Sequence, residues 1–113
     1  MVKTSDLGRQ AESAVARELE RRGHKIISMN WRRRRGEIDI ISLLNDTVYF
    51  TEVKFRSSAN QGEGFDYITT AKRRQMELAA QLWLSENNWS GECQLLAASV
   101  SGQNSTQIDI VEI

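Results

Sequence analysis

Hydrophobic positions recur along this chain with two different periods. From Ser5 to Arg22 the apolar or small residues Leu7, Ala11, Ala14, Val15 and Leu19 are spaced by three and four, and Gly23 follows as a stop. That spacing predicts an amphipathic helix. Residues 24–30, HKIISMN, read as a strand, and the arginines after them as a loop. GEIDIISLL (36–44) and TVYFTEVKF (47–55) are rich in Ile, Val, Tyr and Phe and flank Asn45 and Asp46, both tolerant of turn geometry, so an antiparallel hairpin is expected. SSANQGEGFD (57–66) has the composition of a loop. A second helix is predicted from Thr69 or Thr70, as N-cap, to about Glu86, with Met76, Ala79, Ala80, Trp83 and Leu84 on its apolar face. CQLLAASV and TQIDIVEI supply two closing strands. The order α, β, β, β, α, β, β implies an α/β fold: a mixed sheet flanked by helices, in one domain over residues 1–113.

Composition narrows the class. The 113 residues, 40% of them hydrophobic, suffice for a single core. No apolar run is long enough to span a bilayer and MVKTSDLGRQ lacks the hydrophobic stretch of a signal peptide, so a cytoplasmic protein with no membrane partner is expected. Cys93, the one cysteine, reads as a small core residue. Net charge is zero, which disfavours coating nucleic acid through bulk positive charge. The basic residues are nevertheless clustered, as Arg32 to Arg35 and as Lys72, Arg73 and Arg74. Any phosphate contact is therefore local.

The two central strands carry charges that an interior does not call for. A turn at Asn45 and Asp46 pairs residues whose numbers sum to 91, placing Leu44 opposite Thr47, Asp39 opposite Glu52 and Glu37 opposite Lys54. Alternation then sends all four charges to one face, which Val48 and Phe50 share. Two carboxylates about 5 Å apart repel by about 3 kcal/mol at an effective dielectric near 20, and desolvation adds to that cost. A divalent cation with hard oxygen ligands compensates it; Mg²⁺ typically takes one or two carboxylates plus waters and phosphate oxygens. The competing reading is an exposed ionic ladder in which Glu37 pairs with Lys54.

GRQAE (8–12), NWRRRRGEIDII (30–41), EVKFR (52–56) and Lys72 near the start of the next helix resemble, in that order, the motifs of the bacterial YraN/UPF0102 family. Asp39 followed by Glu52-Val53-Lys54 is similar to the core of the PD-(D/E)xK, restriction-endonuclease-like superfamily, and the fold to that of archaeal Holliday-junction resolvases. The likeness covers most of the chain. It implies that Asp39, Glu52 and the Val53 carbonyl bind Mg²⁺ or Mn²⁺, that Lys54 orients or activates the attacking water, and that Glu12 is the extra acidic residue of resolvase-like nucleases. From its position alone, Glu12 either reaches the sheet or merely borders the apolar stripe.

Arg32, Arg33, Arg34, Arg35, Arg56 and Lys72 are the candidate phosphate contacts. The arginine run leads directly into the charged strand, and Lys72 lies in the first turns of a helix whose dipole it opposes. Trp31 can stack on a base or anchor the core; Trp83 belongs to the core stripe; Trp89 stays undecided. His24, just after Gly23, reads as a surface or capping residue. These readings converge on a metal-dependent nuclease acting on DNA, including branched or repair intermediates, with a homodimer permitted by the resemblance. Two alternatives stand beside it: a non-catalytic nucleic-acid-binding module of the same fold, and an interaction protein whose charges form only a ladder.

Overall fold

Asn45 and Asp46 both have positive φ, 49° and 67°, the geometry of a tight hairpin turn whose twist matches the strands it joins. From that turn the chain builds outward. The computed structural model describes residues 4–56 and 64–113. Helix α1 spans Thr4–Arg21 and is followed by strands β1 (Lys25–Arg33), β2 (Gly36–Leu44) and β3 (Thr47–Phe55). Helix α2 (Thr70–Glu86) crosses to β4 (Glu92–Ser101), and a short 3₁₀ turn at Gln103–Ser105 leads into β5 (Gln107–Glu112). The five strands lie in sequence order, with β3 in the middle. β3 and β4 run parallel through the α2 crossover and every other neighbour is antiparallel. This is a mixed α/β sheet flanked by two helices, consistent with a restriction-endonuclease-like fold.

Each helix covers one face of the sheet. Ala11, Val15 and Leu19 of α1 pack on Ile40, Ala98 and Val100, while Ala79, Ala80 and Trp83 of α2 pack on Ile41, Val48 and Phe50. Phe50 is 1% exposed and meets Trp83 edge to face, ring centres 5.7 Å apart. Small alanines on the helices let them approach the sheet closely. At Gly36 the approach is closest, since a Cβ there would lie 2.9 Å from that of Ala79.

Three expectations change. β1 runs on to Arg33, so Arg32 and Arg33 are strand residues and only Arg34 and Arg35 form the connecting turn. The cause is pairing: Arg32 and Arg33 lie opposite Glu37 and Gly36, and the Arg33 guanidinium sits 4.7 Å above the Trp31 ring. His24 is buried, its Nδ1 2.9 Å from the Ser42 hydroxyl and its ring edge-on to Tyr49. Burial lowers its pKa. Cys93 is exposed, because β4 enters the covered part of the sheet only after its first two residues. Of the predicted loop, residues 57–63 lie outside the described residues and Gly64 to Tyr67 form a turn. Among the described residues no helix is long and apolar enough to cross a membrane.

Candidate metal and nucleic-acid site

The predicted register holds from Leu44↔Thr47 to Ile40↔Thr51 and stops there. One step further on, the alternation of β2 breaks. Ile40 packs in the α1 core and Ile38, two residues away, in the α2 core, although a regular strand sends both to the same face. Asn30, which falls opposite this point on β1, has φ 53°, so both strands are irregular at one level. Asp39 sits at the break. Its Oδ2 accepts a 2.7 Å hydrogen bond from the Val53 backbone N–H, doing with a side chain what the ladder would have done with a carbonyl. Asp39 and Glu52 are therefore not the cross-strand pair that uniform alternation suggests. They meet at the seam where β2 and β3 separate.

The charges at this seam act on one another. Burial raises the Asp39 pKa to about 7, and the neighbouring carboxylates of Glu52, Glu12 and Glu37 push it in the same direction against the Val53 hydrogen bond. Glu12, on α1, is among the acids whose charge acts on Asp39. Glu37 is 67% exposed and 3.8 Å from Arg32 on β1, not paired with Lys54, which disposes of the proposed ladder. Glu52 is half-buried and its partner is the Lys72 ammonium, 2.9 Å from Oε1. Lys54, two residues beyond Glu52 on β3, is exposed and makes no ion pair among the described residues.

The basic candidates divide by role. Arg33 is bound to Glu86 at 3.0 Å and covers Trp31, which is a core anchor, so a base-stacking role for that indole is excluded. Arg56 is half-buried, lies 5.4 Å over the Tyr67 ring and donates to the Gly64 carbonyl, a clamp on the segment before α2. Arg34 and Arg35 stand exposed in the turn. Arg35, Glu52, Lys72, Gln75 and Leu78 line a cleft of about 220 Å³. Lys72 is presented there because Thr69 caps α2, its Oγ1 accepting from the Lys72 N–H at 3.0 Å.

Tyr67 escaped the reading of the sequence. Its hydroxyl donates to the Ala98 carbonyl at 3.2 Å, and burial, with Glu52 and Asp39 nearby, pushes its pKa upward. An aromatic in a polar loop gives no such signal; only the fold brings it beside the acids. Trp89 also resolves, as a partly buried residue under the α2 core whose Nε1 donates to the Glu92 carbonyl.

Among the described residues no three His, Cys, Asp or Glu side chains are grouped closely enough to hold a metal by themselves. The donors present nevertheless suit a hard divalent ion that keeps waters and takes substrate oxygens, because such an ion needs only one or two carboxylates.

The sequence has relatives among known proteins. Residues 11–113 match the model of the Uncharacterised protein family UPF0102. The chain is 36% identical to a UPF0102 protein of Ectopseudomonas mendocina over 96% of its own length and 92% of the relative's. It is 37% identical to one from Pseudomonas fluorescens, covering 88% of this chain and 83% of that one, and 40% identical to one from Chlorobium chlorochromatii over 80% and 70%. With nearly its whole length matched, the chain belongs to the UPF0102 family.

Proposed function

We propose that this protein is a metal-dependent nuclease that hydrolyses phosphodiester bonds in DNA. The observation that carries the reading is the placement of Asp39: a half-buried carboxyl at a break in the central hairpin, bonded to the Val53 amide and acted on by the charges of Glu52 and Glu12. A structural site has no use for that repulsion, which costs stability until a cation relieves it.

Asp39, Glu52 and the Val53 carbonyl would hold Mg²⁺ or Mn²⁺, which when bound supplies charge neutralisation at the phosphoryl oxygens and an acidified water. The chain's own residues prepare the rest. Lys54 shares the face of Glu52 by strand alternation and is free to orient the nucleophile and offset charge developing at phosphorus. Arg34 and Arg35 project from the turn beside the cleft, where a backbone phosphate is held without regard to sequence. Glu12, on the helix side, is a carboxylate able to accept a proton from water.

The test is a panel of labelled branched, duplex and single-stranded DNAs, with RNA counterparts, incubated with Mg²⁺, Mn²⁺ or EDTA. Cleavage that needs metal and disappears in Lys54→Ala, while that variant keeps its melting temperature and its Mn²⁺ affinity, is the expected result. Wild-type protein that binds these substrates without cutting any would replace the enzyme with a binding module.

A further inference from the structure

The resemblance and the strand pattern direct attention to Lys54 as the cation of the site. The structure gives Glu52 a different partner. Lys72 and Glu52 are 30% and 18% exposed, well enclosed for two charged side chains, with 2.9 Å between Nζ and Oε1. The neighbouring basic residue on α2 is occupied otherwise, Arg73 being held by Glu77 at 3.1 Å. The backbone of Lys72 is fixed by the Thr69 cap and its ammonium, among the described residues, by Glu52 alone, on a flexible four-carbon stem in the cleft that also contains Arg35.

An ammonium in contact with Glu52 and a divalent ion on the same carboxylate compete, because the double charge repels the ammonium twice as strongly as a single one. We propose that Lys72 is the resident counter-ion of the carboxylate site: it neutralises Glu52 in the metal-free protein, leaves when a divalent cation enters, and turns its ammonium toward a phosphate of the bound strand. This rests on the metal reading given above. It makes the site self-neutralising when empty, and it couples metal entry to the release of a phosphate-binding cation on the cleft wall.

Coupling of this kind is reciprocal, so removing the ammonium must favour the metal. Calorimetric titration of Mn²⁺ into nucleic-acid-free protein is the experiment, on wild type, Lys72→Met, which keeps the stem without the charge, and Lys72→Arg, which keeps the charge. Lys72→Met is expected to bind Mn²⁺ about tenfold tighter than wild type, and Lys72→Arg within about threefold of it. On the wild type itself, reductive methylation followed by mass spectrometry should find Lys72 more reactive in Mn²⁺ than in EDTA. This arm decides the matter even if Lys72→Met fails to fold.

Mn²⁺ affinity unchanged or weakened in a folded Lys72→Met, with Lys72 reactivity indifferent to Mn²⁺, overturns the exchange and leaves the metal site standing. Absence of Mn²⁺ binding in wild type and Lys72→Met alike removes the metal site, and the exchange with it.

Discussion

The two ends of the β2–β3 hairpin differ in composition and in fate: the strands carry no charge toward the turn, and at the open end they carry Glu37, Asp39, Glu52 and Lys54. Toward the turn, Ile40 to Leu44 and Thr47 to Thr51 pair without a slip, alternate strictly between the two cores, and bury Ile41, Val48 and Phe50 almost completely. Toward the open end, the ladder stops, Ile38 changes face, and Asp39 replaces a backbone partner with its own side chain. The first half is built for stability. The second half spends stability on a carboxylate cluster, as sites that must bind something commonly do.

The comparison is broken most severely from the turn side. Phe50→Ala removes an aromatic held between Trp83 and the sheet, and should cost about 3–5 kcal/mol, read as a lowered urea midpoint with an unchanged slope. Loss of metal affinity without loss of stability would mean that Phe50 serves the site and not the core.

A substitution at the open end should do the reverse. Asp39 has a folded pKa near 7 against an ordinary value of 3.8, so between those values the folded chain holds a proton that the unfolded chain has lost. Its contribution to stability is complete below about pH 4 and is lost as pH rises toward 7. In EDTA, Asp39→Asn, whose amide oxygen can still accept from Val53, should be more stable than wild type at pH 8, with the difference shrinking as pH falls to 5. A difference that is constant with pH would show that the Asp39 carboxyl titrates in its ordinary range.

Smaller still is the expected effect of the turn arginines. Arg34 and Arg35 to Ser should leave the melting temperature nearly unchanged and flatten the dependence of log DNA affinity on log salt by one to two units of slope, about one per lost phosphate contact. Arg33→Ser sharpens the contrast: with its guanidinium committed to Glu86 and Trp31, it should lower stability slightly and leave the salt slope alone.

Most of the fold was legible because local signals agreed. The four-residue spacing of Ala11, Val15 and Leu19, the turn at Asn45 and Asp46, and the Thr69 cap each state one element without help from the rest. At the candidate site the neighbourhood of Asp39 and Glu52 was legible and the wiring was not. Period-two counting carried Asp39 to the correct neighbourhood but assumed that alternation continues, and a break that exchanges Ile38 between cores leaves no mark in composition. Glu52 and Lys72 are twenty residues apart on different elements, so their contact depends on how α2 crosses the sheet. Cys93 and His24 failed for a related reason: exposure at a strand end is decided by where the helices stop covering it, and burial of a single histidine by one hydroxyl across the sheet.

Titration of Mn²⁺ into the wild type, Asp39→Asn and Glu52→Gln at pH 8 tests the central claim most directly. One divalent ion per chain should bind the wild type, and affinity should fall at least about tenfold in each variant while both stay folded. Mn²⁺ binding of undiminished affinity in both folded variants would contradict a metal site built on Asp39 and Glu52.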